Sequence, residues 1–120
     1  MYVDDDTRIR HMRDAARDAL TFIAGRGRTD LDSDRMLYRA LVSCLSEIGE
    51  AASNLTPEAR AALSDVPWSD VIGMRNRLVH GYYQIERDVV WTTATADLPL
   101  LLAALEQWLA SAPGGEEAPG

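Results

Sequence analysis

The stretch between Asp34 and Leu55 constrains the fold most strongly. Its apolar residues recur at steps of three and four, as one face of an α-helix requires. They are Leu37, Leu41, Cys44, Leu45, Ile48, Ala52 and Leu55. Ser33 or Asp34 can accept hydrogen bonds from the first helical N–H groups. We therefore expect the longest helix of the chain here, ending near Asn54, at the centre of the core.

The other apolar patterns are helical as well. They predict a helix from Arg8 to about Ala24, a short one from Pro57 to about Leu63 after a capping Thr56, one that Trp68 opens, and a last one after Asp97. The β-branched segment VVWTTATA is ambiguous, but no second strand candidate exists to pair with it, so it is predicted to lead helically into the last helix. The predicted fold is all-α, an up-and-down bundle of four main helices with a short additional one.

Length and composition indicate one domain. With 120 residues, the chain can build a single hydrophobic core. Residues 1–7 are expected to be frayed, residues 8–112 to form the helical domain, and PGGEEAPG at 113–120 to be a disordered tail.

Several classes of site and location are predicted to be absent. The single cysteine, Cys44, excludes an internal disulfide and a Cys-rich zinc site, and its apolar neighbours favour a small buried hydrophobe. No Glu-x-x-His pair supplies ligands for a metal inside a bundle, so we predict no metal and no cofactor. The acidic N-terminus is unlike a signal peptide, and no uninterrupted apolar run reaches membrane-spanning length. We expect a cytoplasmic protein without membrane contact.

One short segment, RNRLVHGY, gathers an arginine, a histidine and a tyrosine in an Arg-x4-His-x-Tyr pattern: Arg75, His80 and Tyr82. Asn76 and His80, four residues apart, share one face of a helix. Histidine can transfer protons near neutral pH, and a guanidinium can hold a phosphate through two hydrogen bonds. This chemistry suits attack of an RNA 2′-hydroxyl on its own phosphate, with two copies of the chain supplying the acid and the base.

A structural interpretation of the same residues stays open. Arg75 could pair with an acidic residue, His80 could interact with a helix C-terminus, and Tyr82 could be half-buried. The net charge of −7 opposes RNA binding and suits a basic protein partner, although residues 71–85 contain arginines and no acid. Arg10, Arg13 and Arg17 could form a rim for RNA, but a solvated, ion-paired face is the better interpretation.

Gly49 stands inside the long central helix and suggests a tight crossing with another helix. The adjacent Glu50 could then orient Arg75 from that neighbouring helix. Solvent exposure is the alternative for this glutamate.

The order of three segments, SEIGEAA, VPWSDVIGMRNRLVHGYYQIERDVVW and DLPLLL, resembles the HepT-like toxins of the HEPN superfamily, from about Ile9 to Leu109. The resemblance implies an all-α homodimer that acts as a metal-independent ribonuclease. It also implies that the Arg-x4-His motif lines a cleft at the dimer interface.

Carried over by position, the resemblance makes Arg75 the phosphate-binding residue that stabilises the transition state and His80 the proton-transfer residue, with Asn76 in support. It implies that a partner antitoxin of minimal nucleotidyltransferase fold attaches AMP to Tyr82, or to the adjacent Tyr83, and so blocks the cleft. The implied partners are a second copy of the chain, RNA and this antitoxin. The alternative is a catalytically inactive module that binds a nucleotide or the nucleotidyltransferase.

Overall fold

The computed structural model describes the backbone of residues 4–79 and 87–111 and, except over 75–79, their side chains. The helices are α1 (Asp5–Ile23), α2 (Asp30–Ser33), α3 (Arg35–Ser53), α4 (Pro57–Ala62), α5 (Trp68–Val79), α6 (Arg87–Thr92) and α7 (Leu98–Ser111), with a π-helical turn, Thr93–Asp97, joining the last two. Every regular element in these ranges is helical, which confirms the all-α prediction.

Helix α1 begins three residues earlier than predicted. The carboxylate of Asp4 accepts a hydrogen bond from the backbone N–H of Thr7 at 2.8 Å, and this bond lowers the pKa of Asp4. Asp5 and Asp6 lie in the first turn, where negative charge is favourable beside the helix dipole. The acidic start was predicted to be frayed, but its three aspartates form the cap and first turn of a helix.

Helix α3 confirms the strongest pattern in the sequence. Asp34 caps it by accepting a hydrogen bond from the N–H of Leu37 at 3.1 Å. The residues predicted for its inner face are all buried: Leu37, Leu41, Cys44, Leu45, Ile48, Ala52 and Leu55. The helix ends at Ser53, one residue before the predicted end.

The predicted loop between α1 and α3 contains a turn of helix. Gly25, with φ of 74°, takes the left-handed conformation that lets the chain turn after α1. Five residues later, at Asp30, α2 begins, and its Leu31 is fully buried. The loop prediction was wrong over Asp30–Ser33 because composition shows the polar residues of this segment but does not show that Leu31 reaches the core.

Helix α4 starts as predicted, and two contacts hold it in place. The N–H of Ala59 donates to the hydroxyl of Thr56 at 3.2 Å, with Pro57 in the first turn. The Thr56 hydroxyl in turn donates to Asp5 at 2.6 Å, joining the start of α4 to the start of α1. At the other end, the indole N–H of Trp68 lies 3.0 Å from the carbonyl of Leu63. The short helix is thereby fixed between α1 and α5.

The segment VVWTTATA is helical, as predicted, but part of it is a π-helix. The N–H of Leu98 donates to the carbonyl of Thr93, five residues back. Pro99 has no N–H to donate, and in a regular α-helix a proline ring clashes with the carbonyl four residues upstream. A wider turn directly upstream accommodates the ring, so Arg87 to Ser111 runs as one helix.

By length and composition alone, this continuous helix could cross a membrane, with a mean hydropathy of 1.3 over its most apolar window. The continuity agrees with the prediction that VVWTTATA leads helically into the last helix. One side of it is buried against α1, through Leu98, Leu101, Leu105 and Leu109. A core helix passes the same test of length and composition, so the match is weak evidence for a membrane span.

The core joins α1, α3 and α7. Helix α1 packs against both α3 and α7, and α3 also packs against α5. Small residues of α1 allow the close approach, since Ala15, Ala16 and Ala19 are buried beside Ile9 and Met12. This packing places α5, the helix that carries the start of the motif, on one side of α3, with α1 on another.

Candidate functional site

The structure describes only part of the Arg-x4-His-x-Tyr motif. The backbone of Arg75 and Asn76 lies in the second half of α5, which ends at Val79. His80 and Tyr82 lie outside the described residues, as does Tyr83. The convergence of the motif side chains at the end of α5 therefore stays a prediction.

Glu50 is exposed near the C-terminal end of α3, the helix that packs on α5. Its carboxylate accepts a hydrogen bond from the side-chain amide of Asn54 at 3.3 Å, and its carbonyl accepts one from Ser53 at 2.8 Å. Its predicted role in orienting Arg75 is untested and stays a prediction, as does the tight helix crossing at Gly49, a residue that is buried.

A cluster of arginines and aspartates, which we call the arginine clasp, holds the start of α6. Arg87 donates to the carbonyl of Leu31 at 3.2 Å, and its guanidinium lies 4.6 Å from the centre of the Tyr38 ring. Arg28 binds both Asp88 and Asp32, and these hydrogen bonds raise its pKa.

The clasp fixes the position at which the chain enters α6, directly after the motif segment. The sequence pattern alone did not predict this cluster. The available signal was the alternation of arginine and aspartate in GRGRTDLDSD, but the partners from α6 are 56 and 60 residues away along the chain.

The arginine stripe of α1 is engaged with carboxylates. Arg17 pairs with Glu106 of α7 at 2.6 Å, and Arg13 contacts Asp14 at 3.0 Å. Arg13 is only 8% exposed, so the prediction of a solvated stripe was wrong for this residue. Its long side chain is covered where α1 meets α7, because the apolar part of an arginine packs well against other side chains.

A groove of about 580 Å³ opens beside the motif helix, between α5 and the helix that contains the π turn and α7. Its floor is formed by Leu45 and Ile48 of α3, which belong to the buried core. Its walls include Val71 and Met74 of α5 and Leu100, Leu101 and Ala104 of α7. The groove is thus mostly apolar, and sequence analysis did not predict it.

Three exposed carboxylates surround this apolar surface: Asp65, Asp70 and Asp97. Within 4–74 and 87–111, where side chains are described, no arginine forms an ion pair with any of them. Among the described side chains, the carboxylates at the edge of the groove thus lack a cationic partner, whereas each carboxylate of the clasp has a guanidinium partner.

The described residues offer neither a nucleophilic cysteine nor a metal site. Cys44 is buried, as predicted, and burial raises the pKa of its thiol to about 11, so the thiol stays protonated at neutral pH. Over the described part of the chain, no three or more histidine, cysteine, aspartate or glutamate side chains are grouped to hold a metal ion.

Fold and motif together define a class of protein: an all-α domain with an Arg-x4-His motif that begins in the helix after the short α4. Comparison with known families specifies that class further. The model of the family described as "Ribonuclease HepT-like" matches residues 12–108, which is most of the chain and includes the whole motif. The chain belongs to this family, and the membership confirms the predicted resemblance and the predicted class of enzyme, a ribonuclease.

Individual relatives agree with the family match. A "Putative RNase TTE0752" of Caldanaerobacter subterraneus subsp. tengcongensis is 40% identical over 72 residues, which cover 60% of this chain and 64% of that protein. A "Probable ribonuclease HepT" of Thermococcus cleftensis is 30% identical over 65% of this chain and 71% of its own length. A "Putative RNase MJ1380" of Methanocaldococcus jannaschii is 27% identical over 78% of this chain and 85% of its own. No solved structure matches the chain.

Proposed function

We propose that this chain is a metal-independent endoribonuclease, the toxin of a toxin–antitoxin pair, which cuts RNA with Arg75 and His80. The observation that carries the proposal is the family match over residues 12–108, because that range contains the complete Arg-x4-His-x-Tyr motif. The position of Arg75 in α5 supports it, since a helix next to the core is a rigid support for a catalytic side chain. The cytoplasm is the proposed location.

In this mechanism the 2′-hydroxyl of RNA attacks the adjacent phosphorus atom. His80 of one copy takes the hydroxyl proton, and the 5′-oxygen leaves with a proton from His80 of the second copy, so that a 2′,3′-cyclic phosphate and a 5′-hydroxyl end are formed. The guanidinium of Arg75 binds the phosphate oxygens, where negative charge increases in the transition state. Asn76 and Glu50 orient the arginine.

The chemistry needs two copies because each motif contains one histidine. We therefore propose an up-and-down bundle of four main helices that forms a homodimer, with the two motifs lining a common cleft. Helix α5, which carries the start of the motif, packs on α3, so the motif begins beside the central core helix of each copy.

The experiment compares matched pairs of variants in cleavage of a fluorogenic RNA by unmodified protein in the presence of EDTA. Arg75→Ala and His80→Ala should lower the cleavage rate by about 10²- to 10⁴-fold. The controls are Arg77→Ala, a neighbouring arginine of α5, and His11→Ala, an exposed histidine of α1, and both should keep the rate. A 2′-deoxy group at the cleaved position should stop the reaction.

Three results would contradict the nuclease proposal: full activity in both motif variants, loss of activity with EDTA, or cleavage of the 2′-deoxy substrate. Absence of cleavage by the unmodified wild-type chain, combined with tight binding to a nucleotidyltransferase, would favour the inactive module. The net charge of −7 is the observation that favours this second candidate, because RNA affinity depends on neutralising phosphates.

For regulation, we propose that a cognate nucleotidyltransferase antitoxin transfers AMP from ATP to the hydroxyl of Tyr82, with release of pyrophosphate and of the hydroxyl proton. An adenylate beside Arg75 would place negative charge and bulk where an RNA phosphate binds. Co-expression with the antitoxin should add the mass of AMP to the intact chain. Tyr82→Phe should prevent the addition and Tyr83→Phe should allow it; the reverse result would assign the modification to Tyr83, and no addition in the wild type would refute this regulation.

A further inference from the structure

We infer that the groove between α5 and α7 is a docking site for a helical segment of a protein partner, with an apolar ridge flanked by lysine or arginine. Leu100, in the wall of the groove, is 74% exposed. Removing a leucine side chain from water is favourable, so this exposure leaves free energy available for binding. Only 28% of the most apolar window of the long helix, Arg87–Ser111, is buried. The outer face of this helix is therefore an exposed apolar surface that a bound partner could cover.

The shape of the groove selects a helix as the occupant. Its volume of about 580 Å³ is bounded by two helices, with core side chains as the floor. From Asp97 to Gln107 the α7 side extends for roughly 15 Å, at ~1.5 Å per residue, which matches about three turns of a partner helix. Such a helix inserts side chains at positions i, i+3 or i+4, and i+7.

The charge at the edge selects a basic partner. Asp65, Asp70 and Asp97 are exposed there, and no described arginine pairs with them. A basic helix would place its cations against these carboxylates, which speeds encounter and fixes orientation. Nucleic acid and anionic membrane surfaces are repelled by the same groups. A second copy packed groove to groove would bring two sets of these carboxylates together.

The probe is a synthetic helical peptide of about 16 residues with leucines at steps of three and four and lysines flanking that face. Fluorescence anisotropy with the full chain at physiological salt should show saturable binding. The same peptide with glutamate in place of lysine should bind at least tenfold more weakly. Binding is measured without RNA, so its outcome is separate from that of the cleavage test.

The variants locate the site. Asp70→Asn combined with Asp97→Asn should weaken binding about tenfold, whereas Asp18→Asn combined with Glu58→Gln, an equal change in charge at exposed positions away from the groove, should not. Leu100→Glu should remove binding while the circular dichroism spectrum stays unchanged. Equal weakening by both acid pairs, or unchanged binding by Leu100→Glu, would overturn the proposal.

Two further measurements distinguish other occupants. If light scattering shows that the chain is dimeric and that Leu100→Glu makes it monomeric, the groove is an interface between copies, and the proposal fails. If vesicles of phosphatidylcholine and phosphatidylserine bind the wild-type chain but not Leu100→Glu, the groove contacts membrane, and the proposal fails in the same way.

Discussion

The two sides of the helical domain differ in how completely their apolar residues are buried and their charges are paired. Where α1 meets α3 and α7, alanines and long apolar side chains are fully buried, and arginines at the margin are paired with carboxylates. Where α5 faces α7, a groove remains, apolar residues are exposed or half-buried, and acids have no described cationic partner. Helix α7 belongs to both sides.

This difference separates residues that stabilise the fold from residues that remain available for contacts. On the closed side, where α1 meets α3 and α7, apolar residues are buried and charges are paired within one chain. Substitutions there should therefore change the free energy of unfolding. On the open side, where α5 faces α7, apolar residues are exposed or half-buried and no described arginine pairs with the acids. Substitutions there should therefore change association rather than stability. The motif helix α5 borders the open side, so the motif begins beside the surface available to partners.

The largest effect is expected from a matched pair of leucines. Leu41 of α3 is 0% exposed and Leu100 of α7 is 74% exposed. Leu41→Ala should lower the free energy of unfolding by about 2–5 kcal/mol, because it leaves a cavity in the core. Leu100→Ala should change it by less than about 0.5 kcal/mol. Urea unfolding of both variants measures the contrast, and a similar cost at the two positions would remove the distinction between the sides.

A smaller effect is expected at the contact that joins α1 to α4. Thr56→Ala removes the cap of α4 and the hydroxyl that donates to Asp5. The free energy of unfolding should fall by about 1 kcal/mol. Thr56→Ser keeps a hydroxyl at the same position and should retain most of the stability. If serine and alanine are equally destabilising in thermal unfolding, the loss comes from the missing methyl group, and the capping argument is wrong.

The smallest effect concerns paired and unpaired carboxylates. Hydrogen bonds from Arg26 and from the N–H of Leu37 lower the pKa of Asp34 in the folded chain. A lowered pKa stabilises the fold above the pKa of the unfolded residue, about 3.9, and the contribution disappears as the pH falls through the folded value. Asp34→Asn should therefore be less stable than the wild type at pH 6, and the difference should shrink as the pH falls below the ordinary pKa of an aspartate.

The matched control for Asp34 is Asp97→Asn at the edge of the groove. No described residue forms an ion pair with Asp97, so this variant should differ little from the wild type in thermal unfolding at either pH. A clear loss of stability at pH 6 in Asp97→Asn would show that this acid has a stabilising partner. The groove edge would then resemble the closed side.

The helices themselves were predictable because their causes are local. Side-chain spacing gave the inner face of α3, Asp34 and Thr56 gave two helix starts, and Trp68 marked the start of α5. The errors were local as well: the aspartates before α1 were interpreted as fraying when they cap the helix, and the turn around Leu31 was interpreted as loop. The motif was found in the same way, from residue types at fixed spacing.

By itself, the sequence determined the helical class, the buried face of α3 and the family to which the chain belongs. Periodicity, capping and motif order depend on residues that are close together in the chain. Only the tertiary structure decided the arginine clasp between Arg28 and Asp88, the burial of Arg13 and the groove beside α5. These features join residues far apart in the chain. Their existence depends on how closely whole helices approach one another, which is decided by the packing of all side chains together.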